Sequence, residues 1–234
     1  MFYFLVYVNL IQNMLEYFCK LYIIGADHLK KNELESENTK KLTRKQQAYQ
    51  TKEKLLSISL KLIQENGFDN VKISDICKEA GVSTGAFYHH LNNKAGIVIA
   101  AYSKCDDYFF DVVYPSLKER KDTDVVLDYL KAQLQYAITS GVDLCTQIYK
   151  AQLTEGTEFF LSSNRTLPSG LILLIKSLQE EGLVTTDTSE SDIGNELLLI
   201  SRGCLYHWCQ CNGNYDLIDH SMKILKNYWK TYII

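Results

Sequence analysis

The side chains best equipped for chemistry gather between Lys72 and Lys94: hydroxyls on Ser83 and Thr84, a phenol on Tyr88, imidazoles on His89 and His90, and ammonium groups on Lys72 and Lys94. Such groups hydrogen-bond phosphates and base edges. The chain has no phosphate-binding Gly-rich loop, no nucleophile elbow and no paired-His metal motif, so neither an enzyme nor a cofactor is expected. A second constellation, Cys204, His207 and Cys211, falls at i, i+3 and i+7 on one helical face, and thiolate with imidazole is zinc or copper chemistry. Three ligands on one helix do not close a tetrahedral site without a fourth from elsewhere. Coincidence is therefore the preferred reading and no metal is expected.

The first group needs two short helices to hold it. Residues 74–80 place Ile76 and Ala80 at i, i+4, with Ile73 just ahead, and Gly81 permits the positive φ of a tight turn. Ser83 can cap a second helix over 84–90, because its side-chain oxygen accepts from the free amides of the next turn. Phe87 is the apolar anchor of that helix, and Val82 packs between the two. Together they have the size and chemistry of a helix-turn-helix, whose second helix would enter the major groove. There Gly85 and Ala86 permit close approach, and Ala86 can touch a thymine methyl. Upstream, residues 51–66 carry Leu55, Ile58 and Leu62 on one amphipathic face that stops at Gly67. Downstream, Asn92 or Asn93 can cap a long helix marked by Ile97, Ala101, Cys105, Tyr108 and Val112.

These residues resemble the TetR family of bacterial transcriptional regulators. The family pattern at the second and third helices is met by Ile76, Ala80, Gly81, Val82, Ser83, Gly85, Phe87, Tyr88, His90 and Lys94. Cys77, Leu91 and Ala95 depart mildly from it. Lys72 stands where the family usually has a capping Thr, so the cap would pass to Asn70 or Ser74 while Lys72 meets a phosphate. The resemblance implies phosphate contacts from Tyr88, His90, Lys94 and Ser83, and base reading by Thr84, Ala86 and His89. For Tyr88 and His90 the competing role is packing at the helix end, and for Lys94 a solvated charge. Arg44 and Lys45 would form an arm into an adjacent minor groove or simply a solvated charge run.

Beyond the motif the chain continues as amphipathic stretches over 124–139, 142–153, 169–181, 191–211 and 217–232, separated by Gly141, Gly182 and Gly213 with Asn214. Residues 154–167 look like loop. The resemblance implies that the last two stretches, 191–211 and 217–232, form a homodimer as a four-helix bundle, using Leu197, Leu198, Ile200, Leu205 and Trp208 with Ile218, Met222, Leu225 and Trp229. It also implies a small-molecule effector pocket among the middle helices. Tyr102, Cys105, Tyr108, Tyr129, Tyr136 and Tyr149 are its candidate lining, their amphipathic rings suiting an amphipathic or aromatic effector. Phe109, Phe159 and Phe160 add to this aromatic density. For each residue, plain core packing is the alternative.

Charge supports the division. Residues 40–94 hold ten basic against five acidic side chains, in a chain of formal net charge −3, so a basic module sits on an acidic body. Seven unevenly spaced cysteines do not make a secreted disulfide framework, and a cytoplasmic location is expected. The apolar start, residues 2–12, lacks a basic flank and a cleavage site. Its extension to Ile24 meets Asn9, Asn13, Glu16 and Lys20, so a signal peptide or a membrane span is not expected.

The expected architecture is all-α. Residues 1–46 are an apolar segment and polar linker, with Met14 a possible true start. Residues 47–95 are a three-helix helix-turn-helix domain, and 96–234 a larger ligand-binding and dimerisation domain. The expected function is a regulator, in the first instance a repressor, released from double-stranded operator DNA by an effector. An activator working through a protein partner, a thiol or metal sensor and a membrane-tethered protein are the alternatives.

Overall fold

The computed structural model describes residues 43–155 and 165–234. The apolar start, Lys40, Lys41, Phe159 and Phe160 lie outside the described residues. Among those described the regular structure is helical, with one isolated antiparallel bridge between Val184 and Ile233. The chain divides into two units between Tyr102 and Ser103.

In the first unit, α1 (Arg44–Asn66) begins earlier than expected. Residues 44–50, ahead of the amphipathic stretch expected from residue 51, are the exposed opening of this helix. Thr43 starts it with a capping box: its hydroxyl accepts from the Gln46 amide at 3.3 Å, and the Gln46 side chain accepts from the Thr43 amide at 2.9 Å. Exposed on every side, this segment has no apolar period to betray it. Further along, α1 buries Leu55, Leu56, Ile58 and Ile63, and it stops at Gly67.

Two short helices follow. α2 (Ile73–Ala80) buries Ile76, Cys77 and Ala80, and ends at Gly81 with φ +64°. α3 (Thr84–Leu91) buries Phe87 and Leu91. α4 (Lys94–Tyr108) starts where Asn93 Oδ1 accepts from the Gly96 amide at 2.8 Å, so Asn93 rather than Asn92 is the cap.

α4 opens into a π-helical turn, Phe109–Val113, before α5 (Tyr114–Leu117). The wider turn rotates the buried face, so Val113 is buried in place of the expected Val112. It lies just ahead of Pro115, which has no N–H to give the Asp111 carbonyl. The second unit continues through α6 (Asp124–Ser140), α7 (Val142–Glu155), α8 (Thr166–Glu180), α9 (Glu190–Gln210) and α10 (Leu217–Trp229).

Several of its buried polar groups are matched. Trp229 Nε1 donates to the Thr123 carbonyl at 2.9 Å, and Ser201 Oγ donates to Gln133 Oε1 at 2.8 Å. Arg165, 5% exposed, grips Asp106 through Nε and Nη2 at 2.8 and 3.2 Å, and the Leu167 amide adds a third bond to the same carboxylate. A buried pair this well satisfied offsets much of its desolvation. Gly194 lies against Ile172, where a Cβ would approach Cγ1 to 2.9 Å, so α9 needs a glycine to pack this closely on α8.

Candidate nucleic-acid interface

The face of α3 is sorted by burial. Phe87 is fully buried and Leu91 nearly so, while Ser83, Thr84, Gly85, Tyr88 and His89 are exposed and Ala86 is half-buried. The hydrophobic anchors at positions 87 and 91, i and i+4, turn the polar set outward. Ser83 accepts from the Ala86 amide at 3.2 Å, which fixes the helix start while leaving its hydroxyl at the surface. Tyr88 packs edge-on against Phe87, with ring centroids 5.8 Å apart. Its ring is therefore braced although its surface is about half open.

Gly85 is not required by the protein's own packing. A Cβ built there meets only Ser83 Oγ, at 3.8 Å, which is ordinary contact. Gly96 is the opposite case, because its Cβ would collide with the backbone carbonyl of Leu91. It therefore sets how closely α4 folds back on the end of α3. Sequence reasoning passed over Gly96; the available signal was a glycine two residues inside a helix, where propensity gives it no purpose.

Lys94 is half-buried and not a freely solvated charge. Its Nζ donates to the Asp69 carbonyl at 3.4 Å and sits 4.5 Å above the Phe68 ring. Lys72 occupies the cap position of α2 but makes no side-chain capping bond. Neither expected substitute takes over, since Asn70 gives its amide to the Asn66 carbonyl and Ser74 turns to Asp75. Lys72 stays exposed, as do Arg44 and Lys45 in the first turn of α1. His90 is half-buried and its ring lies 5.0 Å from that of His89. Burial first, then His89, then Lys52 on α1, lower its pKa below the ordinary histidine value.

The residues proposed for an effector pocket are largely core. Cys105, Tyr108, Tyr129 and Tyr136 are buried, and Tyr102 and Tyr149 are half-buried. Tyr108 packs on Tyr136 with centroids 5.6 Å apart, and Phe109 on Tyr129 at 4.8 Å. Tyr129 donates to the Leu167 carbonyl at 2.9 Å, and Gly170 leaves room for that hydroxyl. Tyr149 donates to the Arg202 carbonyl at 2.9 Å. Burial pushes the thiols of Cys105 and Cys145 up, Cys145 to about 12, which keeps both protonated and unreactive at neutral pH.

Cys204 is buried while His207 is exposed, so these two do not converge. His207 lies with Nδ1 3.1 Å from the Tyr215 hydroxyl and Nε2 3.8 Å from Cys211 Sγ. Among the described residues no group of three or more His, Cys, Asp or Glu side chains is disposed to hold a metal ion. No helix among them is long and apolar enough to cross a membrane.

The predicted dimer helices exist, but their apolar faces are divided differently. Leu197, Leu198, Leu205, Trp208, Leu225 and Trp229 are buried within the chain's own core. What α9 and α10 leave outward is Leu199, 71% exposed, with Tyr206 and Ile224, and with Ile200, Ile218 and Met222 half-buried. Gly203, between Leu199 and Tyr206 on the same face, has open space where a Cβ would be.

The two short helices and the turn at Gly81 form a helix-turn-helix whose second helix turns a polar face outward. Residues 55–101 match the family described as bacterial regulatory proteins, tetR family, so this segment is similar to that family's N-terminal domain. The chain is 33% identical over 78 residues to the uncharacterised HTH-type transcriptional regulator YvdT of Bacillus subtilis, covering 33% of this chain and 40% of that one. A second Bacillus subtilis relative, the fatty acid metabolism regulator protein, is 28% identical over 180 residues, covering 74% and 90%. The chain thus spans about two fifths of the first relative and most of the second. Among solved structures, Thermus thermophilus FadR, a TetR-family transcriptional repressor in complex with lauroyl-CoA, shares the fold at TM-score 0.64 and 18% identity, covering 76% of this chain and 93% of that one. A putative regulator from Saccharomonospora viridis in complex with choline does so at 0.60 and 18%, covering 79% and 98%.

Proposed function

We propose that this chain is a transcription regulator that binds a palindromic operator as a homodimer, and that it is a repressor released by a small-molecule effector. The observation that carries DNA binding is the sorted face of α3. Its bulky apolar residues hold it to the domain, while a hydroxyl, a phenol, imidazoles and a glycine with free space face outward. Tyr88, His90, Lys94, Ser83 and Lys72 serve the phosphates; Thr84, Gly85, Ala86 and His89 lie against the bases. A symmetric dimer gives two such helices and hence a two-fold operator. The outward apolar stripe of Leu199, Tyr206 and Ile224 supplies its interface, with Gly203 allowing close helix approach. The chain has no catalytic role and works in the cytoplasm.

For the effector, a long-chain fatty acyl thioester is the first class to test, because the fatty acid metabolism regulator aligns over most of its length and the FadR fold neighbour holds lauroyl-CoA. The effector must bind the non-operator spacing of the recognition helices better than the operator-bound one, since equal affinity shifts nothing.

The test is selection of duplexes from a random DNA library by the purified protein, followed by binding measurements on the selected sequence. Tyr88→Ala with Lys94→Ala weakens binding to every duplex and lowers its salt dependence, whereas Thr84 or His89 replacements change the selected sequence. Full affinity in the double variant would refute the placement. Lauroyl-CoA that leaves the affinity unchanged would remove that effector class.

A further inference from the structure

The end of α9 brings a thiol, an imidazole and a phenol into line, and the DNA-binding face uses none of them. Cys211 is the half-buried residue that closes α9, and its Sγ lies 3.8 Å from Nε2 of His207, one turn earlier. His207 is exposed, and its Nδ1 lies 3.1 Å from the hydroxyl of Tyr215, in the turn that leads to α10. Tyr215 has one hydroxyl proton, which it gives to the Cys204 carbonyl at 3.3 Å. It therefore accepts from His207, so Nδ1 carries the ring proton and Nε2 presents its lone pair to the Cys211 thiol. Burial first, then Cys211, Cys204 and Cys209, raises the pKa of Tyr215 and keeps its hydroxyl neutral.

This arrangement can move a proton without rearranging. A thiol that gives its proton to Nε2 leaves a thiolate beside an imidazolium, whose two N–H groups donate to the sulfur and to Tyr215. His207 stands in the last turn of α9, where the negative end of the helix dipole favours a cation and opposes a bare thiolate. The two charges must form together. The neighbouring thiols are spent on the core, since Cys204 and Cys209 are buried and Cys209 hydrogen-bonds to Thr146 on α7. Chemistry that finishes on a single sulfur therefore suits Cys211 better than a disulfide does. Beside the thiol, the rings of His207, Tyr215 and His220 gather from α9, the turn and α10 with centroids 5.1 to 6.2 Å apart, and both imidazoles are exposed. Flat conjugated molecules stack on such rings.

We propose that Cys211 is a covalent modification site for planar α,β-unsaturated carbonyl compounds, with His207 as its base and Tyr215 as the group that holds His207. The sulfur bonds to the β-carbon while the carbon–carbon π pair moves toward the carbonyl as an enolate. The proton taken up by His207 then passes to the α-carbon, so thiol and acceptor add with no leaving group and no oxidant. The site does not depend on DNA binding.

The experiment follows labelling by N-ethylmaleimide at neutral pH, with peptide mapping that separates all seven cysteines. Cys211 is labelled about tenfold faster than glutathione or more, because an unassisted thiol is only roughly a few per cent thiolate at that pH. His207→Gln brings the rate down to that of glutathione, and Tyr215→Phe gives an intermediate rate. The ultraviolet absorbance of the thiolate, lost in both Cys211→Ser and His207→Gln, reports the ion pair without any electrophile. Labelling of Cys211 no faster than glutathione would overturn the site, and a rate unchanged in His207→Gln would overturn its base. The glutathione comparison needs no variant, so it decides the matter even where a replacement loosens the fold, which shows as faster labelling of Cys204 and Cys209.

Discussion

Replacing Gly85 by Ala should push stability and DNA affinity in opposite directions. The added Cβ meets only Ser83 Oγ, at 3.8 Å, so the folded domain accommodates it without displacement. Alanine also loses less backbone entropy on entering a helix than glycine does, worth about 0.5–1 kcal/mol. Position 85 lies in the first turn of α3, where the gain falls toward the lower figure. The expected thermal shift is upward by roughly 1–4 °C, taking the scale for a chain of this size.

With α3 placed in the groove as proposed, the same methyl group occupies the space through which the helix approaches the DNA. Overpacking of one methylene costs about 1–3 kcal/mol. At about 1.4 kcal/mol per decade that weakens operator Kd roughly five- to 150-fold. Thermal unfolding by circular dichroism and fluorescence anisotropy on the selected duplex read the two effects in one preparation. Undiminished affinity in a stabilised protein would refute close approach at Gly85. A fall in stability would show that the glycine serves the fold after all.

Two further outcomes follow from the geometry. Gly96→Ala forces a methyl group into the Leu91 carbonyl, so the DNA-binding unit should unfold or lose several kcal/mol, seen as a low-temperature melting step and loss of binding to all duplexes. Leu199→Glu places a charge on the outward stripe of α9; sedimentation should show dissociation toward monomers, with melting temperature in the isolated chain little changed because Leu199 is 71% exposed.

The DNA-binding motif was legible because its residues act locally. Gly81 is needed for a positive φ at +64°, Ser83 for a cap and Phe87 for an anchor, and each requirement follows from its immediate neighbours in sequence. The helical class was legible for a related reason, since apolar spacing and the near absence of proline restrict the choice of element.

Other features depend on what the chain places opposite a residue. The opening of α1 carries no apolar period, and only the Thr43 and Gln46 bonds show where the helix begins. Gly96 has no meaning until Leu91 lies against it. In α9 and α10 the sequence offers apolar residues on several faces, and periodicity selects helices without saying which face meets which neighbour. Packing inside the chain consumes Leu197, Trp208, Leu225 and Trp229, and so leaves Leu199, Tyr206 and Ile224 outward. Likewise the family resemblance implies a pocket among the aromatic middle helices, with core packing as the alternative, and Tyr108, Phe109, Tyr129 and Tyr136 pack against one another. Local chemistry and hydrophobic period were determined by the sequence alone. Which side of each helix is spent on the core was decided by the tertiary structure, because burial is a property of the partners a surface finds.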